Sequence, residues 1–391
     1  MRLLPLALLL LFTSGCAAIK RPPATVASLT AESTTLATRD RTLRDSVIAR
    51  LVRRAERRGD RHLDVLLLSG GGQNGAYGAG FLRGWQRRSE GAMPRFDLVS
   101  GISTGALQAP YALLGTRASL DTISALYARA ATSIAPTFDW WFWIRRTGGL
   151  VNTGRFDRTL EQAIDGDFRT ELREAFADDR QIIFGTTDFD LGIGQLWSLG
   201  DELDSSEVGL RRARTLLKAA TAIPAIFPPV VVDGHVHADG GVVENVLPVL
   251  GLADYRRLGE ALTACGLRDV TVRLWVVLNV WSHADPRVIA PSNRGQMDAR
   301  STTLLFYLHQ PSTLEKLDYL ARAVSAEVPG LRLEMRVTAI PSEQSVAPGA
   351  DKLFNRSFMQ RLDSLGFARA QSGNPWDVVP SAFVRPEAPR R

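Results

Sequence analysis

Short apolar runs separated by helix-length stretches constrain this 391-residue chain more than any other feature. Strand-like segments fall at residues 63–68, 96–99, 181–187, 230–232, 270–280 and 331–340. Helical patterns occupy 76–89, 104–114, 120–131, 206–220, 302–326 and 352–366. Strands joined through helices run parallel, and near-continuous apolar strands must be covered on both sides. The pattern therefore predicts an α/β protein: a three-layer α/β/α arrangement with a mostly parallel central sheet, plus helical additions. With 45% hydrophobic residues the chain can bury one large core. No internal repeat is evident.

One strand-to-helix junction carries Gly101-Ile102-Ser103-Thr104-Gly105. That is the form of a nucleophile elbow, a sharp turn that lifts one hydroxyl clear of the backbone. Gly101 and Gly105 suit it because the turn is crowded and a Cβ at either position would strike neighbouring chain. An ordinary turn in a glycine-rich chain has the same spelling. Upstream, the 63–68 run empties into Ser69-Gly70-Gly71-Gly72-Gln73-Asn74-Gly75, just before a helical pattern. Consecutive glycines there leave N–H groups uncovered at a helix N-terminus, where they can face developing negative charge as an oxyanion hole. A phosphate loop fits less well, since no Gly-Lys-Ser/Thr follows and the G-x-G-x-x-G spacing is only partly met. Downstream, Ile223-Pro224-Ala225-Ile226-Phe227-Pro228-Pro229 leads to an apolar strand, then Asp239-Gly240-Gly241 and Asn245. Alone, an aspartate before two glycines is a turn.

Taken together and in this order, the three motifs resemble the patatin-like phospholipase family over residues 63–248. The resemblance implies that Ser103 is the nucleophile of a Ser-Asp dyad, Asp239 its general base in the turn made with Gly240 and Gly241, and the amides of Gly70, Gly71 and Gly72 the oxyanion donors. It also implies a lipid acyl hydrolase, of phospholipase A, lysophospholipase or esterase type, working through an acyl-enzyme. Asn74 departs from the pattern, because many members carry a basic residue there. The chemistry suits these residue types, since a carboxylate within hydrogen-bond reach can take the serine proton without histidine. It calls for no metal and no cofactor. The histidines, His62, His235, His237, His283 and His309, come without H-E-x-x-H or paired cysteines. His235 and His237 would share one face of a strand, where they suit metal ligation, assistance of the base or a structural role. A serine, acid, histidine triad would instead draw on His283 or His309. Two other functions stand beside the leading one: a general esterase or thioesterase for small acyl compounds, and a catalytically silent envelope scaffold.

Residues 1–16 comprise Met1-Arg2, a leucine-dominated run, and Thr13-Ser14-Gly15-Cys16, the pattern of a secretory signal too short to span a bilayer. Small residues before Cys16 resemble a bacterial lipoprotein cleavage box, which implies a lipid-anchored protein of the cell envelope, with Ala17 favouring the periplasmic side of the outer membrane. Thr13 departs from the usual aliphatic residue, and cleavage near Ala18 would release a soluble periplasmic or secreted protein. Residues 17–40, rich in Ala, Thr, Ser and Pro, suit a flexible tether, and 41–62 an amphipathic helix. That helix sets Arg53, Arg54, Arg57 and Arg58 opposite Ile48, Leu51, Val52 and Ala55, for packing on the domain or for anionic headgroups. The catalytic domain spans 63–370, and a poorly packed tail 371–391. Cys265 has no partner once Cys16 is lipidated or removed. The resemblance implies a phospholipid or other acyl-ester substrate as partner and the lipid anchor a membrane surface, while an exported chain of modest formal charge, +6, without a nucleic-acid module is not expected to bind nucleic acid. The rings of Phe138-Asp139-Trp140-Trp141-Phe142-Trp143, and those of Leu304-Leu305-Phe306-Tyr307-Leu308, suit either a lipid-facing rim or core.

Overall fold

The computed structural model describes residues 19–141, 147–281, 286, 288–297, 300, 301, 309–352 and 354–377. Cys16 and the leader, Phe142, Trp143, His283, the run 304–308 and the end of the tail lie outside the described residues, as does the side chain of His309.

One sheet holds β1 (His62–Leu68), β2 (Leu98–Ile102), β5 (Gln181–Asp188), β6 (Ile193–Ser198), β7 (Val230–Val232), β8 (His235–Asp239), β9 (Val270–Trp281) and β10 (Leu331–Ile340), while β3 (Thr137–Phe138) and β4 (Val151–Asn152) make a separate small pair. The sheet order is β10-β9-β1-β2-β5-β8-β7, parallel from β10 to β5. Antiparallel pairing appears only past that point, at β5 with β6, β5 with β8 and β8 with β7. The helices are α1 (Val26–Arg58), α2 (Gly75–Gln86), α3 (Thr104–Leu114), α4 (Arg117–Ser133), α5 (Gly154–Ala163), α6 (Gly166–Ala177), α7 (Leu199–Glu202), α8 (Glu207–Ala220), α9 (Leu252–Ala264), α10 (His309–Glu327) and α11 (Arg356–Gln371). Alternation along β1 sorts the two outer layers. Leu63, Val65 and Leu67 share a core with Val47 and Leu51 of α1, Leu258 of α9 and Leu317 of α10. Leu66 and Leu68 face the other way, into a core with Phe81 and Trp85 of α2 and Ala109 and Leu113 of α3. The three-layer α/β/α fold is the one the strand pattern predicts.

Both ends of the domain depart from expectation. Residues 26–40 are helical rather than a flexible tether, continuous with the predicted amphipathic segment in α1. Thr25 caps the start, accepting the Ser28 N–H at 3.1 Å. Side chains beyond the cap then reach the domain, Glu32 bonding His235 at 2.6 Å and the Arg39 guanidinium lying 4.0 Å over the Trp197 ring. The basic cluster of α1 faces protein. Arg54, 3% exposed, pairs with Asp97, 0% exposed, and Arg58 reaches the same carboxylate at 2.7 Å. At the other end, Trp376 packs 4.9 Å from Trp85 and 5.0 Å from Trp275, and Asp377 accepts the Ala339 N–H at 3.0 Å. The poorly packed tail therefore does not begin at 371, because two aromatic rings and a strand edge hold the chain to 377. Among the described residues no helix is long and apolar enough to cross a membrane.

Candidate active site

Two strand ends meet head-on along one edge of β5. β2 runs parallel to β5 and stops with Ile102 opposite Gly185, while β8 runs antiparallel and stops with Asp239 opposite Thr186. β6 occupies the other edge from Ile183 to Asp188, so β2 and β8 share a single edge. Ser103, the next residue after β2, therefore arrives beside Asp239. Its hydroxyl donates to Asp239 Oδ2 at 2.6 Å, and the Gly241 N–H donates to Oδ1 at 2.8 Å. The aspartate backbone is fixed as well, its N–H on the Ala222 carbonyl and its carbonyl accepting from Thr187 Oγ1, both at 2.9 Å. Ser103 sits at φ 52°, ψ −123°, a strained conformation for a residue with a side chain. Its flanking glycines are places where no Cβ fits: one on Gly101 would lie 2.4 Å from the Gly105 carbonyl oxygen, and one on Gly105 2.3 Å from that of Leu68.

Register also brings in the glycine loop. Leu68, the last residue of β1, pairs with Gly101, so the chain leaves β1 next to the elbow. A Cβ on Gly70 would lie 3.1 Å from that of Ser103. The Gly70 N–H already donates to the Asn245 carbonyl at 3.1 Å, which withdraws it from the expected set of three oxyanion donors. No bond of that kind engages the N–H of Gly71 or Gly72 among the described residues. Gly71 is pressed against the next strand, where a Cβ would meet the Asn279 carbonyl oxygen at 2.1 Å.

A polar network lies under the loop. Asn279 Nδ2 donates to the Ser69 carbonyl at 2.8 Å and to Gln108 Oε1 at 3.1 Å, and its Oδ1 accepts the Gly78 N–H at 3.1 Å. Gln108 Nε2 holds the Gly75 carbonyl at 2.6 Å, while Tyr127 Oη bonds Thr104 Oγ1. Sequence reasoning missed Asn279 and Gln108; a lone asparagine within the apolar β9 run was the available signal. Asn74 is buried, and its Oδ1 has no hydrogen-bond partner among the described residues.

These three motifs on adjoining strand ends coincide with a match to the family model for patatin-like phospholipases at residues 66–252, from within β1 to the start of α9. Residues 66–252, just under half of the chain, form a patatin-like phospholipase domain. No curated protein matches it. Among solved structures, the crystal structure of VipD from Legionella pneumophila is similar at 13% identity with a TM-score of 0.34, over 80% of this chain and 66% of that one, so this chain spans just under two thirds of VipD's length.

In the patatin-like domain, burial sets the electrostatics of the Ser103–Asp239 pair. It pushes the Asp239 carboxyl from 3.8 up to about 6, although hydrogen bonds from Ser103 and Gly241 act in the lowering direction. Ser103 and Asp239 bond directly, with no imidazole between them. His237 is instead held 3.0 Å from Thr186 Oγ1, which also accepts from Trp197 Nε1, and His235 lies between Glu32 and Asp188. From Ser103 and Gly72 an apolar cavity runs between α3, α4, α5 and α8, past Leu107, Ile123, Phe156, Leu160 and Leu217. Its far wall includes Ile223 and Phe227 of the proline-rich approach. Phe138, Trp140 and Trp141 stand outside the core at 49%, 78% and 57% exposure, on a segment anchored to that wall through Asp139 N–H to Leu150 and Leu150 N–H to Ile226, each 2.9 Å.

Proposed function

We propose that this patatin-like protein hydrolyses carboxylic esters of lipids through an acyl-enzyme on Ser103. One observation carries the reading: a serine hydroxyl 2.6 Å from a buried carboxylate, at the mouth of an apolar cavity. As Ser103 Oγ attacks the ester carbonyl, its proton passes to Asp239 Oδ2. The tetrahedral oxyanion forms against the N–H groups of Gly71 and Gly72, joined by that of Thr104 at the start of α3, since the Ala106 and Leu107 N–H groups are already bonded to the Ser103 carbonyl. Collapse breaks the ester bond, and the departing alcohol takes the proton from Asp239. Water, deprotonated by the same carboxylate, then releases the fatty acid and restores Ser103. The cavity receives the acyl chain because almost everything along it is hydrocarbon, and the headgroup stays outside.

The exposed rings at 138–141 meet the lipid surface in this reading, where aromatic side chains gain most. Lipidation of Cys16 would hold the enzyme on the bacterial envelope, at the periplasmic side of the outer membrane. The test is hydrolysis of phospholipid vesicles by the purified protein, with products identified by mass spectrometry beside Ser103→Ala and Asp239→Asn. Fatty acid release by the parent alone supports the proposal. Turnover of short acyl esters without any lipid product would assign a general esterase, and failure of Ser103 to take up a fluorophosphonate in folded protein would leave a scaffold. Cys16→Ser should move the protein from the membrane fraction to the soluble fraction.

A further inference from the structure

The end of β8 remote from Asp239 holds a second cluster, which the acyl chemistry does not use. Asp188 closes β5, Asp190 lies in the turn that follows, and His235 opens β8 beside them. Asp188 and His235 are 0% and 7% exposed. His235 Nδ1 lies 2.7 Å from Asp188 Oδ2, an ion-pair distance, yet among the described residues neither atom has a well-aligned hydrogen bond, and both are closed off from solvent. The other atoms of these side chains are satisfied. Asp188 Oδ1 accepts the N–H groups of Asp190 and Leu191 at 2.9 and 3.1 Å, and His235 Nε2 bonds Glu32 Oε2 of α1 at 2.6 Å. A carboxylate oxygen of Asp190 completes a set of three donor atoms, all within 4.8 Å of one another.

We propose that Asp188, Asp190 and His235 form a binding site for one divalent transition-metal cation, Zn2+ or Mn2+, with Glu32 as the carboxylate that orients the imidazole. Histidine metal ligands commonly donate their second ring N–H to a carboxylate, the relation Glu32 has to His235. With that N–H given to Glu32, Nδ1 turns a lone pair toward the lone pairs of Oδ2. At 2.7 Å such a contact repels unless a ring proton or a metal cation sits between the atoms, and the alignment is poor for the proton. Two ligands about 2.0–2.2 Å from one cation stand roughly 2.8–3.1 Å apart at right angles and about 3.3–3.6 Å apart at the tetrahedral angle, so the 2.7 Å contact opens slightly as a cation enters. Charge agrees. Arg21 spans Asp190 at 2.6 and 2.8 Å, so once His235 ligates as the neutral imidazole, three carboxylates and one guanidinium leave a net charge of −3 + 1 = −2, which a divalent cation cancels in place of the proton that Glu32 and Asp188 otherwise favour on the ring. One imidazole among oxygens suits Zn2+ or Mn2+ better than Ca2+ or Mg2+, which favour all-oxygen shells. His235 precedes Asp239 by four residues, about 13 Å along a strand, so the cation is a clasp between α1 and the β5–β8 end and takes no part in acyl transfer.

The test uses the full chain, stripped with EDTA and titrated separately with ZnCl2 and MnCl2 at neutral pH, read by calorimetry and by melting temperature. One equivalent of at least one cation should bind and raise the melting temperature. Glu32→Gln should weaken binding about 10–100-fold, His235→Gln should abolish it, and Ser103→Ala should bind as the parent does. If His235→Gln does not fold, Glu32→Gln still decides, because Glu32 is half exposed and its loss spares the core. Absence of saturable uptake by folded parent protein, or uptake unchanged in Glu32→Gln, overturns the proposal. So does a stability that follows the protonation of His235 with no response to either cation.

Discussion

Replacing Asp239 by asparagine should abolish turnover and yet stabilise the protein. Burial raises this carboxyl from 3.8 in the open chain to about 6 in the fold. At 1.36 kcal/mol per unit, that shift is a penalty of about 3 kcal/mol on the ionised folded state. Between pH 3.8 and about 6 the folded protein keeps a proton that the unfolded chain releases, so stability falls as pH rises across this window. Above it the penalty is complete, and below it none remains. Asparagine keeps an oxygen for the Gly241 N–H and an NH2 for Ser103 Oγ, while removing the charge. Urea denaturation of parent and Asp239→Asn, followed by circular dichroism at several pH values, measures the difference. The variant should be more stable by about 3 kcal/mol at mildly alkaline pH, with the gap closing toward zero as pH approaches the open-chain value. A gap that does not change with pH, or a variant less stable than the parent in alkali, would refute the account of a desolvated base.

The same carboxyl shapes the pH profile of turnover: kcat/KM should fall about tenfold per unit below pH of about 6, where an unshifted aspartate would hold full activity for two further units. In the glycine loop, Gly71→Ala meets a carbonyl oxygen at 2.1 Å and should cost about 10²-fold in kcat by displacing an oxyanion donor. Gly72→Ala faces open space at φ 56°, so it should cost only about 1 kcal/mol of stability and retain most activity. Leu160→Trp, which fills the cavity, should suppress hydrolysis of long-chain esters while sparing acetyl esters, seen as a change in chain-length preference. Arg54→Ala removes one of two guanidiniums from buried Asp97 and should lower stability by about 3 kcal/mol in denaturant titration.

Legibility in the sequence followed how local each feature is. The elbow could be read in advance because its strand, glycines and helix are contiguous, and α3 begins and ends at the predicted residues 104 and 114. The proposed base was harder, since Asp-Gly-Gly announces a turn while the strand carrying Asp239 has only five residues, His235–Asp239, two of them histidine. Nothing local predicts that β8 pairs antiparallel along the edge β2 has just vacated, although this pairing is what sets carboxylate against hydroxyl. The same is true of Gly70, whose place in the motif matches its neighbours but whose amide is taken by a carbonyl 175 positions later, at Asn245. The Ala-, Thr- and Ser-rich composition of 26–40 suggested a tether, and its helix is held by long-range contacts from Glu32 and Arg39 that composition does not encode. Those contacts have a consequence for the site. His235 and Asp239 stand on one short strand, the first gripped by α1 and the second by Ser103, so loosening the α1 contact frees the strand that presents the proposed base. Glu32→Gln should therefore lower kcat modestly, by a few-fold, while leaving KM for a short ester unchanged, because only the aim of the carboxylate is disturbed and the acyl cavity is untouched.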